Sequence, residues 1–148
     1  MRILFVCLGN ICRSPAAEAV FRHMAGAGAL ADGADSAGTA GWHEGKPPYP
    51  PMVRAAAARG YDLRPLRARR FSRDDFARFD LILGMDSENL RDIEARRPPG
   101  DATPVRLMLS HAPHLGLLDV PDPYYTRNFG QTLDLLEEAV RGLLAGLR

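Results

Sequence analysis

The segment CLGNICRS, at residues 7–14, combines residue types that could carry out chemistry on a phosphate ester. Its skeleton is Cys7, five intervening residues, Arg13 and Ser14. A thiolate is a strong nucleophile, and a planar guanidinium can pair with two phosphoryl oxygens at once. The spacing therefore predicts a phosphate-binding loop in which Cys7 is the nucleophile and Arg13 holds the phosphoryl group. The alternative is a buried structural cysteine beside a surface arginine.

The same segment is expected to provide a positive environment for the thiol. A helix capped by Ser14, with Pro15 as its first residue, would direct unpaired N–H groups at an anion. Gly9 and Asn10 tolerate backbone angles that a tight loop of inward-pointing amides requires. Such surroundings favour the thiolate, so Cys7 is expected to be activated, with Ser14 as a further donor to the sulfur.

Asp122, in the run DPYY at residues 122–125, is the best candidate for a general acid. A leaving phenoxide or alkoxide needs a proton, and a loop at the edge of a sheet is where a donor could reach it. Pro123 restricts the backbone of Asp122 to extended geometry and so limits where its carboxyl group points. Asp119 is the rival candidate, and Asp-Pro is also a common turn dipeptide.

The elements that must position these groups follow from hydrophobic periodicity. Strands are predicted at residues 3–6, 34–37, 80–85 and 105–109, and helices at 15–25, 52–60, 87–96 and 131–147, with a long loop at 110–129. Strands that alternate with helices predict an α/β fold with a mostly parallel sheet covered on both faces. Ligands bind beyond the carboxyl ends of such strands, where residues 7–14 are expected to lie.

Bulk properties are typical of one small globular domain, residues 1–148, with a net charge of +1. This charge gives no overall attraction to nucleic acid or to a membrane surface. No apolar run is long enough to cross a bilayer and no secretory signal is evident, so a cytoplasmic location is expected. The basic stretch at residues 64–73 is interpreted as a solvated face, with a partner-binding patch as the alternative.

Three segments together resemble the low-molecular-weight protein tyrosine phosphatases: CLGNICRS at 7–14, SAGTAGWH at 36–43 and DPYY at 122–125. The resemblance covers essentially the whole chain. It implies a three-layer α/β/α fold with a central four-stranded parallel sheet and the phosphate-binding loop after the first strand. It also implies hydrolysis of phosphotyrosine and aryl phosphates without a metal or other cofactor, through a phosphocysteine on Cys7 with Asp122 as general acid and then base.

The resemblance also assigns residues that bind the phosphate or line a slot for an aromatic ring. Besides Arg13, these are Leu8, Gly9, Asn10, Ile11, Cys12, Ser14, Trp42, Tyr124 and Tyr125. Cys12 matches a second family cysteine that could form a reversible disulfide with Cys7, although it is alternatively a small buried residue. Asp86 is assigned a structural role near the loop, and His43 is interpreted as a structural hydrogen-bonding residue.

Some positions depart from the family pattern. Many relatives carry a serine and a histidine where this chain has Arg64 and Leu66, and an aspartate and an arginine at the positions of Tyr49 and Pro51. That histidine helps to brace the loop asparagine, so Asn10 is expected to be braced differently here. These departures bear on the rigidity of the loop and on the rate, not on the type of reaction.

The implied partner is a phosphotyrosine-containing protein, with a bacterial-type tyrosine kinase as one candidate. No nucleic acid or membrane partner is expected, and the chain would be a monomer or a weak dimer. Two alternatives share the fold: an arsenate reductase, which needs more cysteines than Cys7 and Cys12, and a protein arginine phosphatase, whose relatives carry Thr at the position of Ile11. A non-enzymatic phosphopeptide-binding protein would have no reason to keep Cys7 and Asp122 together.

Overall fold

A computed structural model describes residues 1–147 and confirms the α/β/α architecture, with a four-stranded parallel sheet. The strands are β1 (Ile3–Cys7), β2 (Ala34–Gly38), β3 (Leu81–Gly84) and β4 (Val105–Leu107), in the spatial order β2-β1-β3-β4. In the register of the sheet, Cys7 pairs with Gly38 and Val6 pairs with Gly84. The carboxyl ends of β1, β2 and β3 therefore meet at one edge, where the segment 7–14 begins.

Seven helices surround the sheet within the described residues. They are α1 (Arg13–Ala25), α2 (Ala29–Asp32), α3 (Pro50–Ala57), α4 (Asp75–Arg78), α5 (Ser87–Glu94), α6 (Pro123–Thr126) and α7 (Phe129–Leu147). Two 3₁₀ turns, Met108–His111 and Pro113–Leu115, follow β4. None of the helices within residues 1–147 combines the length and the apolar character that crossing a membrane requires.

Strand β1 contributes to two separate hydrophobic cores, one on each face of the sheet. Ile3 and Phe5 pack with residues of α1, α3 and α7, while Leu4 and Val6 pack with residues of α4 and α5. Because successive side chains of a strand point to opposite faces, a strand covered on both sides must be apolar at every position. This explains why residues 3–6 show no alternation of apolar and polar residues.

Two sequence-based boundaries were wrong. The strand predicted at 105–109 ends at Leu107, and Met108 and Leu109 enter a 3₁₀ turn in which both are buried. Their apolar character therefore reflects burial in the core rather than pairing in the sheet. The loop predicted at 110–129 also contains the short helix α6.

The predicted helix cap at Ser14 was also wrong. Helix α1 begins at Arg13, the residue before it is Cys12, and no side chain caps the helix. Ser14 lies inside the first turn, and its hydroxyl group faces the sulfur of Cys7 instead of a backbone N–H group.

Candidate active site

Cys7, the last residue of β1, lies in the wall of a pocket of about 280 Å³ and is almost fully buried. The backbone N–H group of Asn10 donates to its Sγ atom at 3.3 Å, and the Oγ atom of Ser14 lies 3.0 Å from the same sulfur. Helix α1 begins six residues later, so its N-terminal amides belong to the same loop. The sulfur is thus surrounded by donors that stabilise an anion.

Asn10 holds the loop in shape from behind the pocket. Its backbone is left-handed, with φ of 57°, and its side chain is buried. The Nδ2 group donates to Ser14 Oγ at 2.8 Å and to Ser36 Oγ at 3.0 Å, while Oδ1 accepts from the backbone N–H of Arg69 at 2.9 Å. A backbone amide therefore braces Asn10 in this chain, which has Leu66 at the position of the family histidine.

Two glycines allow neighbouring segments to approach the loop closely. Gly9 was expected to provide unusual backbone angles, but it is not among the residues with positive φ. Instead, a Cβ atom at Gly9 would lie 3.0 Å from Cδ2 of His43. At Gly38, at the end of β2, a Cβ atom would lie 2.8 Å from the carbonyl oxygen of Leu8. Both positions therefore require glycine because of close packing.

The guanidinium group of Arg13 is buried and held on one side by fixed acceptors. Its Nη1 atom donates to Asp86 Oδ2 at 2.7 Å and to the carbonyl oxygen of Val120 at 2.9 Å. Its Nη2 atom lies 3.5 Å from Asp122 Oδ2. Burial lowers the pKa of Arg13, but the nearby Cys7, Asp122 and Asp86 outweigh this effect and the net shift is upward. Arg13 therefore keeps its charge and orientation in the pocket wall.

Asp86 connects this arginine to helix α5. Its Oδ1 atom accepts from the backbone N–H of Asn89 at 2.7 Å, and the side chain of Asn89 accepts from the backbone N–H of Asp86 in return. This reciprocal pair is a capping box, so the carboxylate that orients Arg13 is itself fixed by the start of a helix.

The two candidate acids lie in different surroundings. Asp119 accepts from the backbone N–H and the hydroxyl group of Ser87, at 2.9 Å and 2.8 Å, and is not part of the pocket wall. Asp122 lines the pocket and caps α6, since its Oδ1 atom accepts from the backbone N–H of Tyr124 at 3.0 Å. Of the two carboxylates, only Asp122 lines the pocket that contains Cys7.

Aromatic and aliphatic side chains form the rest of the pocket wall. The predicted residues Leu8, Ile11, Trp42, Tyr124 and Tyr125 all line it, together with His43. Trp42 and Tyr125 are 68% and 72% exposed, which places them at the mouth of the pocket, above the buried sulfur.

The role predicted for His43 needs correction. Among the described residues no hydrogen bond of its ring is found, and the ring instead packs on Gly9 and forms part of the pocket wall. The motif SAGTAGWH placed this histidine beside Trp42 in the sequence, which was the available signal that it would share the pocket.

Cys12 immediately precedes α1 and is buried in the pocket wall. Both Cys7 and Cys12 are free thiols. Burial, and then the proximity of Cys7, raises the pKa of the Cys12 thiol far above its ordinary value. Cys12 is thus a poor nucleophile in this state. Cys7, in contrast, accepts from the backbone N–H of Asn10 and lies close to the hydroxyl group of Ser14.

The fold brings together residues that are far apart in the chain. All of the predicted site residues line the pocket except Asn10 and Ser14, which lie behind the loop and support it. A buried sulfur, a fixed guanidinium and a carboxylate therefore share one pocket with an aromatic mouth. This combination is suited to nucleophilic attack on a phosphate ester with proton transfer to the leaving group.

Comparisons with known proteins agree with this geometry. The family described as low molecular weight phosphotyrosine protein phosphatase matches residues 2–148. A low molecular weight protein-tyrosine-phosphatase of Streptomyces coelicolor is 47% identical, over 99% of this chain and 93% of its own length. The crystal structure of YfkJ from Bacillus subtilis is 39% identical with a TM-score of 0.92, covering 99% of this chain and 94% of that one.

A second similar structure has a different name. The crystal structure of a drosophila arginine phosphatase is 28% identical to this chain, with a TM-score of 0.91, and covers 100% of this chain and 98% of its own. The shared fold therefore includes proteins named for two phosphorylated amino acids.

Proposed function

The chain belongs to the low-molecular-weight phosphotyrosine protein phosphatase family, a family of hydrolases, and we propose that it hydrolyses phosphotyrosine in proteins through a phosphocysteine on Cys7. One observation carries this proposal. The buried sulfur of Cys7 receives the N–H group of Asn10 and faces the hydroxyl group of Ser14, in a pocket that also contains Arg13 and Asp122.

In the first step the thiolate of Cys7 attacks phosphorus in line with the ester oxygen. The S–P bond forms as the P–O bond to the phenol breaks, and Asp122 gives its proton to the departing oxygen. Arg13 and the loop amides stabilise the charge on the equatorial oxygens.

In the second step a water molecule attacks the phosphorus of the phosphocysteine. Asp122, now a carboxylate, accepts a proton from this water, and the S–P bond breaks. The products are inorganic phosphate and the thiolate of Cys7, so the enzyme returns to its starting state. These residues complete the cycle without a further cofactor.

The walls of the pocket support an aromatic substrate. Trp42, Tyr124 and Tyr125 present flat apolar surfaces above the sulfur, and such surfaces accept a phenyl ring. The phosphate of phosphoserine is carried on a shorter side chain, which does not extend from the aromatic mouth to the buried nucleophile. Ile11 adds an apolar group to the same wall.

Variants at the nucleophile and the acid test the mechanism. Cys7→Ser should abolish turnover of aryl phosphates in the presence of EDTA. Asp122→Asn should lower kcat/KM for phenyl phosphate by roughly 10²–10⁴-fold, and much less for nitrophenyl phosphate, whose leaving group needs no proton. Asp119→Asn is the matched control and should leave both values close to those of the wild type. Turnover by Cys7→Ser would contradict the mechanism.

A second experiment tests the substrate. The similarity to a drosophila arginine phosphatase makes phosphoarginine the relevant competitor. Peptides that carry phosphotyrosine or phosphoarginine at the same position should be compared under the same conditions. We expect a higher kcat/KM for phosphotyrosine, and the opposite order would overturn the proposed substrate while leaving the role of Cys7 intact.

A further inference from the structure

Tyr49, the residue before α3, contacts both the phosphate-binding loop and the segment that contains Asp122. Its backbone N–H donates to the carbonyl oxygen of Ile11 at 2.8 Å. Its phenol oxygen accepts from Nη1 of Arg127 at 2.8 Å, and its ring centroid lies 5.2 Å from that of Tyr124. One residue therefore connects the two halves of the pocket wall.

Arg127 holds the far end of α6. Its backbone is left-handed, with φ of 63°, and its N–H donates to the carbonyl oxygen of Pro123 at 2.9 Å, which ends the helix. Its guanidinium carbon lies 5.3 Å from the ring centroid of Tyr49 and 5.5 Å from that of Phe129. A left-handed backbone is unfavourable at a non-glycine residue, so its contacts with these two rings offset a local strain.

Helix α6 is only four residues long, and Asp122 is its N-cap. A helix of one turn has little stability of its own, so its position depends on what holds its two ends. At the first end Asp122 accepts from Tyr124; at the second, Arg127 binds Tyr49. Displacement of the second end would therefore move the carboxyl group at the first.

We propose that Tyr49 and Arg127 form a clamp that positions Asp122 for proton transfer to the leaving group. The proposal rests on the proposed function, because it assigns the clamp a role only in the step that Asp122 catalyses. Neither residue lines the pocket, so both are positioning residues rather than catalytic ones. A misplacement of about 1 Å can cost as much as 10²-fold in rate, which makes such a clamp important for the reaction.

The test measures kcat/KM for phenyl phosphate and for nitrophenyl phosphate in the same protein preparation. This parameter reports the steps up to departure of the leaving group, and the ratio of the two values does not depend on the fraction of folded enzyme. Tyr49→Phe, which removes only the hydroxyl group, and Arg127→Gln, which removes the guanidinium group, should each lower kcat/KM for phenyl phosphate about tenfold. The value for nitrophenyl phosphate should change less than about twofold.

Two matched controls test whether the effect is local. Tyr61 also has a hydroxyl group that is hydrogen-bonded, to Glu137, and Arg64 is an exposed arginine paired with Asp62. Neither Tyr61 nor Arg64 lines the pocket. Tyr61→Phe and Arg64→Gln should leave the ratio of the two kcat/KM values unchanged. A similar fall in the ratio in these variants would overturn the proposal.

Double variants test whether Tyr49 and Arg127 act as one unit and whether they act through Asp122. If the two residues act as one unit, Tyr49→Phe combined with Arg127→Gln should be no worse than either single variant. In the Asp122→Asn background, Tyr49→Phe should have no further effect on phenyl phosphate. Equal losses for both substrates, or no loss for either, would overturn the clamp. A wild-type ratio in Asp122→Asn alone would instead contradict the proposed function.

Discussion

The Sγ atom of Cys7 and the Oγ atom of Ser14 lie 3.0 Å apart in the buried part of the loop. Ser14 Oγ also accepts from Asn10 Nδ2 at 2.8 Å. Besides the sulfur, the carbonyl oxygen of Ala37 can accept from the hydroxyl group of Ser14, at 3.4 Å. Because Asn10 occupies a lone pair of the oxygen, the hydroxyl hydrogen is free to point at the nearer sulfur. When Cys7 reacts as a thiolate its sulfur carries no hydrogen, so Ser14 is then the donor in this contact.

Ser14→Ala should remove this hydrogen bond to the sulfur of Cys7. A hydrogen bond to a charged group contributes about 1.5–3 kcal/mol, which corresponds to roughly 10–100-fold in kcat/KM for nitrophenyl phosphate. Alkylation by iodoacetate, which reports thiolate character, should slow as well. Ser36→Ala is the matched variant, because Ser36 also accepts from Asn10 but makes no hydrogen bond to the sulfur. Equal alkylation rates in the two variants would mean that Ser14 acts only through Asn10.

The buried carboxylate of Asp75 forms an ion pair with the partly exposed Arg69, and this pair supports the region behind the loop. The carboxylate accepts from Nη1 and Nη2 of Arg69 at 3.1 Å each, and from the backbone N–H of Ser72 at 2.9 Å. Asp75→Ala removes these hydrogen bonds, although Arg69 keeps Asp35 as a partner, and should lower the free energy of unfolding by about 1–3 kcal/mol.

Urea unfolding checks this value. Asp74→Ala is the matched control, because the side chain of Asp74 is 78% exposed and its loss should change the free energy by less than about 0.5 kcal/mol. Since the backbone N–H of Arg69 braces Asn10, Asp75→Ala should also lower kcat. Equal stabilities of the two variants would show that the ion pair of Asp75 with Arg69 makes no net contribution to the free energy of unfolding.

Helix α7 packs closely on the 3₁₀ turn Met108–His111 at Gly142, where an added Cβ atom would collide with the carbonyl oxygen of His111. Gly142→Ala should therefore destabilise the protein by about 1–3 kcal/mol, even though alanine is the better helix former. At Gly146, in the same helix, no neighbouring element within residues 1–147 lies within 4 Å of the added atom. Gly146→Ala should stabilise by up to about 1 kcal/mol, and thermal unfolding of both variants measures the contrast.

His111 should make stability depend on pH. Its ring is partly buried, Nε2 has no hydrogen-bond partner within residues 1–147, and burial, followed by the charge of Arg106, lowers its pKa. The native state therefore resists protonation, while the unfolded chain takes up a proton below a pH of about 6.5. The contribution of His111 is fully present above that pH and is lost as the pH falls through the lower native pKa.

The free energy of unfolding, measured between a pH of about 7 and 5, should thus decrease toward acid. His111→Gln should flatten this slope, because it removes the group that titrates. Identical slopes in the wild type and in His111→Gln would show that His111 does not couple to folding.

Local sequence determined the floor of the pocket. The apolar run at 3–6 specifies a strand buried on both faces, and residues 7–14 supply the sulfur, the loop amides and Arg13 within eight consecutive positions. Contacts between residues so close in the sequence depend little on how the rest of the chain folds. The four-stranded sheet and the roles of Trp42, Tyr124 and Tyr125 followed from the resemblance, which rests on the motifs at 7–14, 36–43 and 122–125.

Only the tertiary structure decided which distant groups complete the site. The resemblance assigned the acid to Asp122 rather than Asp119, but only the tertiary structure gives the physical difference between them: Ser87 donates to Asp119, whereas Asp122 lines the pocket. The Oδ1 atom of Asn10 accepts from the backbone N–H of Arg69, 59 residues away, and Tyr49 contacts Arg127 across 78 residues. Contacts between segments so far apart depend on packing of the whole chain, so no local pattern of residues could predict them.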